Sequence, residues 1–518
     1  MARKPPTGST GIWRPERKKT MRQINSGILP RRTTSVVGTF VLFTLVILVV
    51  ATAGILPALL PWWLVVALVI VPVFAVVAWL TPDIAVIGIL AALFGVLPDI
   101  LLPTLPIGGG ELKPEDLGIP ALLVLLLVKH AGSLRPRLQP MRHYWIPLGL
   151  FILVAATSAL IALAYKFSPA KDIFNEARPY VTWLLLPVLC LAIETDRQMK
   201  RFQLLLMGLA LVLAVGVMFQ SFTGIAIFGR GQELRQLWSL DGGVADVLRS
   251  TTPGMFLMTG ALIYLFAAYA KEQIRQPVVV ALLSALLIGG VLVGFGRGLW
   301  FSLFVGVGML AFFSRKAAYA RLAITCTVGA ALVIATLLLA KPEYVYAVSD
   351  RLLSVGEEIE RGSSFGRRTE ENHYALVRIY ESPILGVGLG GRYKPDSIES
   401  RSWPDQVRYV HNAYMRVAVK TGIPGLLTAV FLVFVLLRRG WTGARQGTQN
   451  PAISFAAYWV ILTTTVLTAI TQPNFVAPNG VASIALAIFL IERLRVGGRV
   501  DAFKPNERHN ARQVRIAK

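Results

Sequence analysis

From residue 35 onward the chain alternates between long, nearly uninterrupted apolar runs and short polar connections. A bilayer core needs about 20 apolar residues per helix, fewer where flanking side chains snorkel, and on that criterion roughly fourteen runs qualify. They lie near 35–56, 62–80, 83–102, 117–129, 145–165, 180–194, 199–218, 253–270, 278–296, 299–313, 319–340, 424–437, 453–471 and 477–492. Each is expected to be a helix, because lipid offers no partner to an unpaired backbone group. The predicted fold class is all-α, a polytopic membrane protein of roughly 12–14 transmembrane helices with one large external loop. The run that begins near Ser35 is too long for a signal-peptide core and lacks a small-residue cleavage site, so a retained span is expected there.

Composition agrees with this pattern and charge adds an orientation. Of 518 residues, 55% are hydrophobic and 15% charged, with a mean hydropathy of +0.61, which excludes a multidomain soluble enzyme. A net charge of +24 would suggest nucleic acid in a soluble protein. Here Lys and Arg fall in the connections between apolar runs, so the lipid bilayer is the expected partner and nucleic acid is not. With the N-terminus inside, basic residues collect at Lys18 to Arg32, Lys129 to Arg142, Arg197 to Arg201, Lys271 to Arg275, Arg315 to Arg321, Arg438 to Arg445 and from Arg493 onward. Every predicted internal connection is basic except the tight turn around Thr81-Pro82-Asp83, as positive-inside orientation requires. The expected organisation is a basic cytoplasmic tail (1–34), a transmembrane bundle (35–340), a large external loop (341–423), C-terminal spans (424–492) and a second basic cytoplasmic tail (493–518). Cys190 and Cys326 sit apart in apolar runs and are expected to be buried small hydrophobes.

Arginines that fall outside break the charge bias and ask for a reason. They include Arg178, Arg230, Arg235, Arg249, Arg297, Arg361, Arg367, Arg368, Arg378, Arg392, Arg401, Arg408 and Arg416. Arg297 lies in Gly294-Phe295-Gly296-Arg297-Gly298 between two apolar runs, which holds its guanidinium at or below the membrane surface. Arg178 follows Asn175-Glu176-Ala177 at the start of another run and can anchor to phosphate or pair with Glu176. Arg249 precedes Ser250-Thr251-Thr252-Pro253 at a span start, an interfacial position. A guanidinium fork binds phosphate oxygens bidentately and keeps its charge, so two or three converging arginines can stabilise a pyrophosphate leaving group. The external segments hold no Asp-x-Asp, and the acidic pair Glu115-Asp116 reads as a solvated turn, so neither a metal nor another cofactor is expected.

Of the five histidines, topology sends His130, His143 and His509 inside and His373 and His411 outside. His373 sits on an amphipathic run from Thr369 to Tyr380 and reads as a solvated side chain. His411 follows Tyr409-Val410 and precedes Asn412 and Tyr414 at the start of a predicted helix that runs into the next span. A histidine so placed can take a proton from a sugar hydroxyl as that oxygen attacks an anomeric carbon.

These residues carry a resemblance. Phe365-Gly366-Arg367-Arg368, then Ala375-Leu376, Pro383-Ile384-Leu385-Gly386-Val387-Gly388-Leu389-Gly390, His411-Asn412-Ala413-Tyr414 and Gly422-Ile423-Pro424-Gly425-Leu426-Leu427 follow in order. That combination resembles the signature region of the O-antigen ligase and O-antigen polymerase superfamily. The resemblance implies a GT-C-like fold and an inverting, metal-independent glycosyltransferase in the cytoplasmic (inner) membrane of a bacterium. Such an enzyme takes a glycan from undecaprenyl diphosphate and passes it to an acceptor hydroxyl, on a glycan or glycolipid, at the external face. It would make His411 the general base or acceptor-orienting group, with Arg297 and Arg178 on the donor pyrophosphate. Arg368 occupies the arginine position upstream of the Pro-x-x-Gly-x-Gly stretch, and Arg249, Asn412 and Tyr414 join the expected substrate-binding set. Where members often carry an acidic residue shortly before the last motif, this chain has Lys420-Thr421. A polysaccharide polymerase is the expected activity, with ligation to lipid A core as the alternative. A transporter of the same lipid-linked glycan would also want a basic external cavity, but would not need His411 as a base.

Overall fold

The computed structural model describes residues 72–97, 105–107, 110–228, 233–238, 244–313, 316–353, 365–395, 407–445 and 450–496. The N-terminal tail, the run near 35–56 and the C-terminal tail beyond 496 lie outside the described residues, as do Arg230, Arg361 and Arg401. Residues 72–80 are helical and lead into α1 (Pro82–Leu93), whose Pro82 stands at the first helical position. A short hairpin, β1 (Leu105–Ile107) and β2 (Gly110–Leu112), precedes α2 (Pro114–Lys129). Then follow α3 (Leu134–Leu138), α4 (Trp145–Ala164), α5 (Ala170–Thr182), α6 (Leu185–Ala192) and α7 (Asp196–Thr223). A second antiparallel hairpin, β3 (Glu233–Trp238) with β4 (Val244–Thr251), occupies the connection that hydropathy leaves unassigned. The chain continues through α8 (Met255–Ala270), α9 (Pro277–Leu292), α10 (Arg297–Phe312), α11 (Lys316–Ala340), α12 (Pro342–Leu353) and α13 (Phe365–Glu381). It ends with α14 (Ala413–Arg445), α15 (Pro451–Leu462) and α16 (Pro478–Val496).

The all-α, polytopic membrane architecture is as expected, and every described apolar run is helical. Their length is not uniform. Among the described residues four helices are long and apolar enough to cross a membrane: α4, α7, Ala323–Ala340 within α11, and α14. Pro114–Lys129 with Ala131–Met141, bent by 77°, would make a fifth. Shorter apolar helices, Pro82–Leu93, Met255–Ala270, Pro277–Leu292, Arg297–Phe312 and Pro451–Leu467, accompany these four or five among the described residues. At 1.5 Å per residue the 16-residue α8, α9 and α10 reach about 24 Å, short of the roughly 30 Å hydrocarbon core. The run at 180–194 is split, because the polar, amphipathic α5 ends at Thr182 and α6 begins only at Leu185.

Burial sorts these helices into centre and rim. α8, α15 and α16 are buried nearly all round, as a helix apolar on every face must be when it is enclosed by others. α4 turns Ile146, Leu153, Leu160 and Leu163 outward, each more than half exposed, which is the face a lipid tail would cover. Small residues set the close contacts: a Cβ on Gly290 would meet the Ala214 Cα at 2.8 Å, so α7 and α9 pack almost backbone to backbone.

The segment expected outside folds upon the end of α14. Ala375 of α13, Tyr393, Val410 and Val419 form a small core of their own. The glycine motifs explain how. α14 is broken at Gly422, whose φ of +71° is a left-handed value that residues with a Cβ avoid. Pro424 brings no N–H, so the Lys420 carbonyl four residues earlier loses its helical donor; the Ser158 hydroxyl of α4 donates to it at 2.8 Å. The Val419 carbonyl accepts from the Val387 N–H at 2.8 Å, while the Ile423 N–H donates to the Pro383 carbonyl at 2.7 Å. The Pro383 to Gly391 turn thus replaces the hydrogen bonds that the break in α14 gives up. Gly386 is also left-handed, at φ +66°, and a Cβ there would strike the Val419 carbonyl.

Gly422→Ala is predicted to cost about 1–3 kcal/mol, from the left-handed backbone and from a Cβ driven onto the Ile384 carbonyl. Thermal unfolding of the purified variant should show a lowered midpoint, and an unchanged midpoint would contradict the coupling of the two motifs.

Candidate active site around His411

His411 ends the extended stretch before α14, and a buried carboxylate holds it. Its Nδ1 lies 2.7 Å from Glu371 Oε2, and its backbone N–H donates to the same oxygen at 3.3 Å. Glu371, on α13, is only 4% exposed, and Lys394, equally buried, brings its Nζ to 3.5 Å from the other oxygen. Burial pushes the Glu371 carboxyl up, but the hydrogen bond from His411, the charges of His411 and Lys394 and the His411 N–H together hold it below its ordinary value of 4.5. An ionised Glu371 accepts only, so Nδ1 carries the proton and the ring's basic lone pair is on Nε2. This tautomer is assigned from the hydrogen bond. The Tyr409 ring stands edge-on to the imidazole at 4.9 Å, and the Tyr393 hydroxyl donates to the Tyr409 carbonyl at 2.9 Å.

Arg416 stacks over the Tyr409 ring, its guanidinium 5.3 Å from the ring centre. It is half-buried, and among the described residues no carboxylate lies within 4.0 Å of it. Its neighbours are differently placed. Arg408 pairs with Asp172 at 2.9 Å, and Lys420, 2% exposed, pairs with Glu176 at 2.8 Å while donating to the Gly391 carbonyl at 2.6 Å. Glu176 accepts in turn from the Gly390 N–H at 2.6 Å. Asp172, Glu176 and Tyr180 are four residues apart on one face of α5, which therefore faces α14; Tyr180 lies within electrostatic range of Arg416. Lys420, which occupies the stretch where the resembled family often carries an acid, thus finds its acid on α5.

The start of α10 carries the next expected residue. Arg297 is the first residue of that helix, where unpaired backbone N–H groups and the helix dipole favour an anion. Phe295 sets the entry: its φ of +48° is left-handed, and its buried ring packs against Trp300 and Tyr344. Arg249 is tied to the same turn, its Nε donating to the Gly294 carbonyl at 3.0 Å. Gly298 faces Thr468 and Thr471, and the Ala413 N–H donates to the Ala469 carbonyl at 2.8 Å. The turn at 468–471 therefore touches the start of α10, where Arg297 stands, and the start of α14, just after His411. It follows a π-helical turn over Thr463–Leu467, an irregularity that recurs at functional sites.

The other expected site residues divide. Arg368 precedes Glu371 by three positions and so shares its face of α13. Asn412 caps α14, its Oδ1 accepting from the N–H groups of Tyr414 and Met415 at 3.0 and 3.2 Å. The Tyr414 hydroxyl donates to the Thr465 carbonyl at 2.5 Å and its ring packs on Phe475. Arg178 is held by acids of α2. It lies two residues from Glu176 and from Tyr180, on the other side of α5, and it pairs with Asp116 at 2.9 Å and Glu115 at 3.8 Å rather than with Glu176. Glu115, buried, and Asp116, partly buried, are consequently ion-pair partners in the first turn of α2, not a solvated turn. His373 is exposed, as expected.

Sequence reasoning missed Glu371 and Lys394 and gave Arg416 no role. Arg416 carried a signal, since it follows Asn412 by one helical turn and must share its face. Nothing local marked Glu371 or Lys394, which meet only through the fold.

Residues 282–430 match the family model described as O-Antigen ligase, a stretch that contains Arg297, Arg368, His411, Asn412 and Tyr414. The match bears out the resemblance to the O-antigen ligase and O-antigen polymerase superfamily, and supports lipid-linked glycan transfer of that general type. Over 193 residues, 34% of this chain, the sequence is 25% identical to an uncharacterized protein of Haemophilus influenzae. The chain spans about half of that relative's length (47%).

Glu371→Gln removes a buried charge from two partners and is predicted to destabilise the protein by about 3–5 kcal/mol. Because the folded carboxyl titrates below 4.5, its contribution is complete above that value and disappears as pH falls through the lower folded value. Melting curves of wild type and variant should therefore differ at neutral pH and converge only in stronger acid.

Proposed function

We propose that this chain is an inverting glycosyltransferase of the external membrane face that moves a glycan from undecaprenyl diphosphate to an acceptor hydroxyl. The observation that carries the reading is the imidazole of His411, oriented by buried Glu371, beside the stacked guanidinium of Arg416 and across one turn from the start of α10. In this reading the acceptor hydroxyl gives its proton to His411 Nε2 as its oxygen attacks the anomeric carbon. The bond from that carbon to the diphosphate breaks on the opposite face, which inverts the centre, and the undecaprenyl diphosphate leaves with the electron pair. Glu371 stabilises the imidazolium, as a buried carboxylate does for a catalytic histidine. Arg297 and Arg416 supply fixed positive charge where the leaving diphosphate accumulates negative charge, with Arg249 and Arg368 at the edges. Arg178 reaches that diphosphate only by exchanging Asp116 and Glu115 for phosphate oxygens.

The acceptor separates polymerase from ligase. A second lipid-linked glycan is the acceptor we propose, which makes the protein a polymerase of O-antigen, capsule or exopolysaccharide. A membrane assay with undecaprenyl-linked repeat units should then give elongated lipid-linked ladders; product formed only when a lipid A acceptor is added would assign the ligase instead. A transporter of the same donor lacks any use for a base.

His411→Ala is predicted to lower transfer by about 10²–10⁴-fold while donor binding stays within a few-fold of wild type. Full activity in that variant would reject the base. Arg416→Lys keeps the charge but loses the planar stack and fork, and a drop of about tenfold or more in transfer is expected; wild-type rates would remove Arg416 from the donor site.

A further inference from the structure

At the other end of α14 the protein forms a second basic recess. From the break at Gly422 to Arg439, α14 runs about 25 Å at 1.5 Å per residue, which puts the recess at the end of that helix away from His411. Its volume is about 1000 Å³. Five guanidinium groups line it, those of Arg137, Arg142, Arg439, Arg493 and Arg495, against the carboxylates of Glu194 and Glu492.

Both carboxylates are engaged within the protein. Glu492, 3% exposed, accepts from Arg439 at 3.0 and 2.8 Å and from the Tyr144 hydroxyl at 2.9 Å. Glu194 meets Arg137 and lies 2.9 Å from His130 Nε2. Arg142 is in a different position. It is exposed, its Nε donates to His143 Nε2 at 3.1 Å, and among the described residues no carboxylate lies within 4.0 Å of it. A concave surface with a surplus of oriented forks suits a phosphate anion.

Its surroundings specify the depth. The segment Ala131–Met141, which carries Arg137, turns 77° away from the axis of α2. Trp145, beside His143, is 45% exposed, and Trp79, also 45% exposed, lies under the Lys129 ammonium at 5.6 Å. Such exposed tryptophans mark headgroup level. Ile193 and Phe489 give the recess an apolar portion next to the guanidinium groups.

We propose that this recess binds the phosphate of an anionic lipid headgroup, with Arg142 and His143 as the entering contacts and Arg137 and Arg439 behind them. The site is remote from His411 and independent of the chemistry proposed there. A free phosphate offers the same oxygens without the apolar part, so the two sources can be told apart.

The test uses the full chain, purified in detergent and exchanged into mixed micelles. Native mass spectrometry should show phosphatidylglycerol retained about tenfold more than phosphatidylcholine, and Arg142→Glu should bring that ratio to about one. Arg142 is exposed and far from His411, so this variant should transfer glycan at the wild-type rate; should it fail to fold, Arg142→Gln replaces it with the same expectation. His411→Ala must keep the lipid preference. Equal retention of the two lipids by wild type, or an undiminished preference in the Arg142 variants, would overturn the proposal. Thermal stabilisation by inorganic phosphate or pyrophosphate, lost in Arg142→Glu and without any lipid preference, would reassign the recess to a soluble phosphate ligand.

Discussion

A carboxylate placed where water cannot reach it must be given partners, and Glu371 obtains all of its partners from distant parts of the chain. His411 supplies its ring and its backbone N–H, and Lys394 supplies an ammonium. Each partner is thereby fixed in turn. The imidazole cannot rotate without uncovering the charge, and the lobe formed by α13 and the turn after it cannot lift from α14 without doing the same. The rigidity of the site follows from the cost of leaving that charge alone.

A second buried pair acts comparably about two turns into α14. Lys420 and Glu176 join α14 to α5, and both also bind the backbone of Gly390 and Gly391. The glycine turn is therefore held by side-chain charge at one end and by backbone hydrogen bonds to the broken helix at the other. Three left-handed glycines between Gly386 and Gly390 allow the turn to approach so closely, and the Cβ positions at Gly386 and Gly390 are filled by neighbouring backbone. These motifs shape the platform on which His411 stands.

The two ends of the bundle divide the charge between two arrangements. Near His411 most of the buried cations have assigned acids, and Arg416 is the described guanidinium left facing an aromatic ring with no carboxylate beside it. At the far end of α14 the acids are few and consumed, and guanidinium groups gather around a recess. Charge near a bilayer can orient a chain, lock helices together or receive an anion, and the partner of each group tells which.

Much of this was legible in the sequence. The apolar runs gave the helices, and every described one is helical, because lipid and a closed core both forbid unpaired backbone. His411, Arg297 and the ordered glycine motifs stood out because their local setting was unusual for an apolar chain. Span length was less legible, since hydropathy counts residues and does not register the breaks at Trp183-Leu184 or the bend after Lys129. Nor could the chain reveal the hairpin of β3 and β4, whose residues lack strict alternation. What tertiary structure alone decided was the pairing of charges. Glu371 with His411, Glu176 with Lys420 and Asp116 with Arg178 are separated by 40 residues or more. No local pattern encodes such meetings, because the energy of a buried ion depends on which opposite charge the packing of whole helices delivers to it.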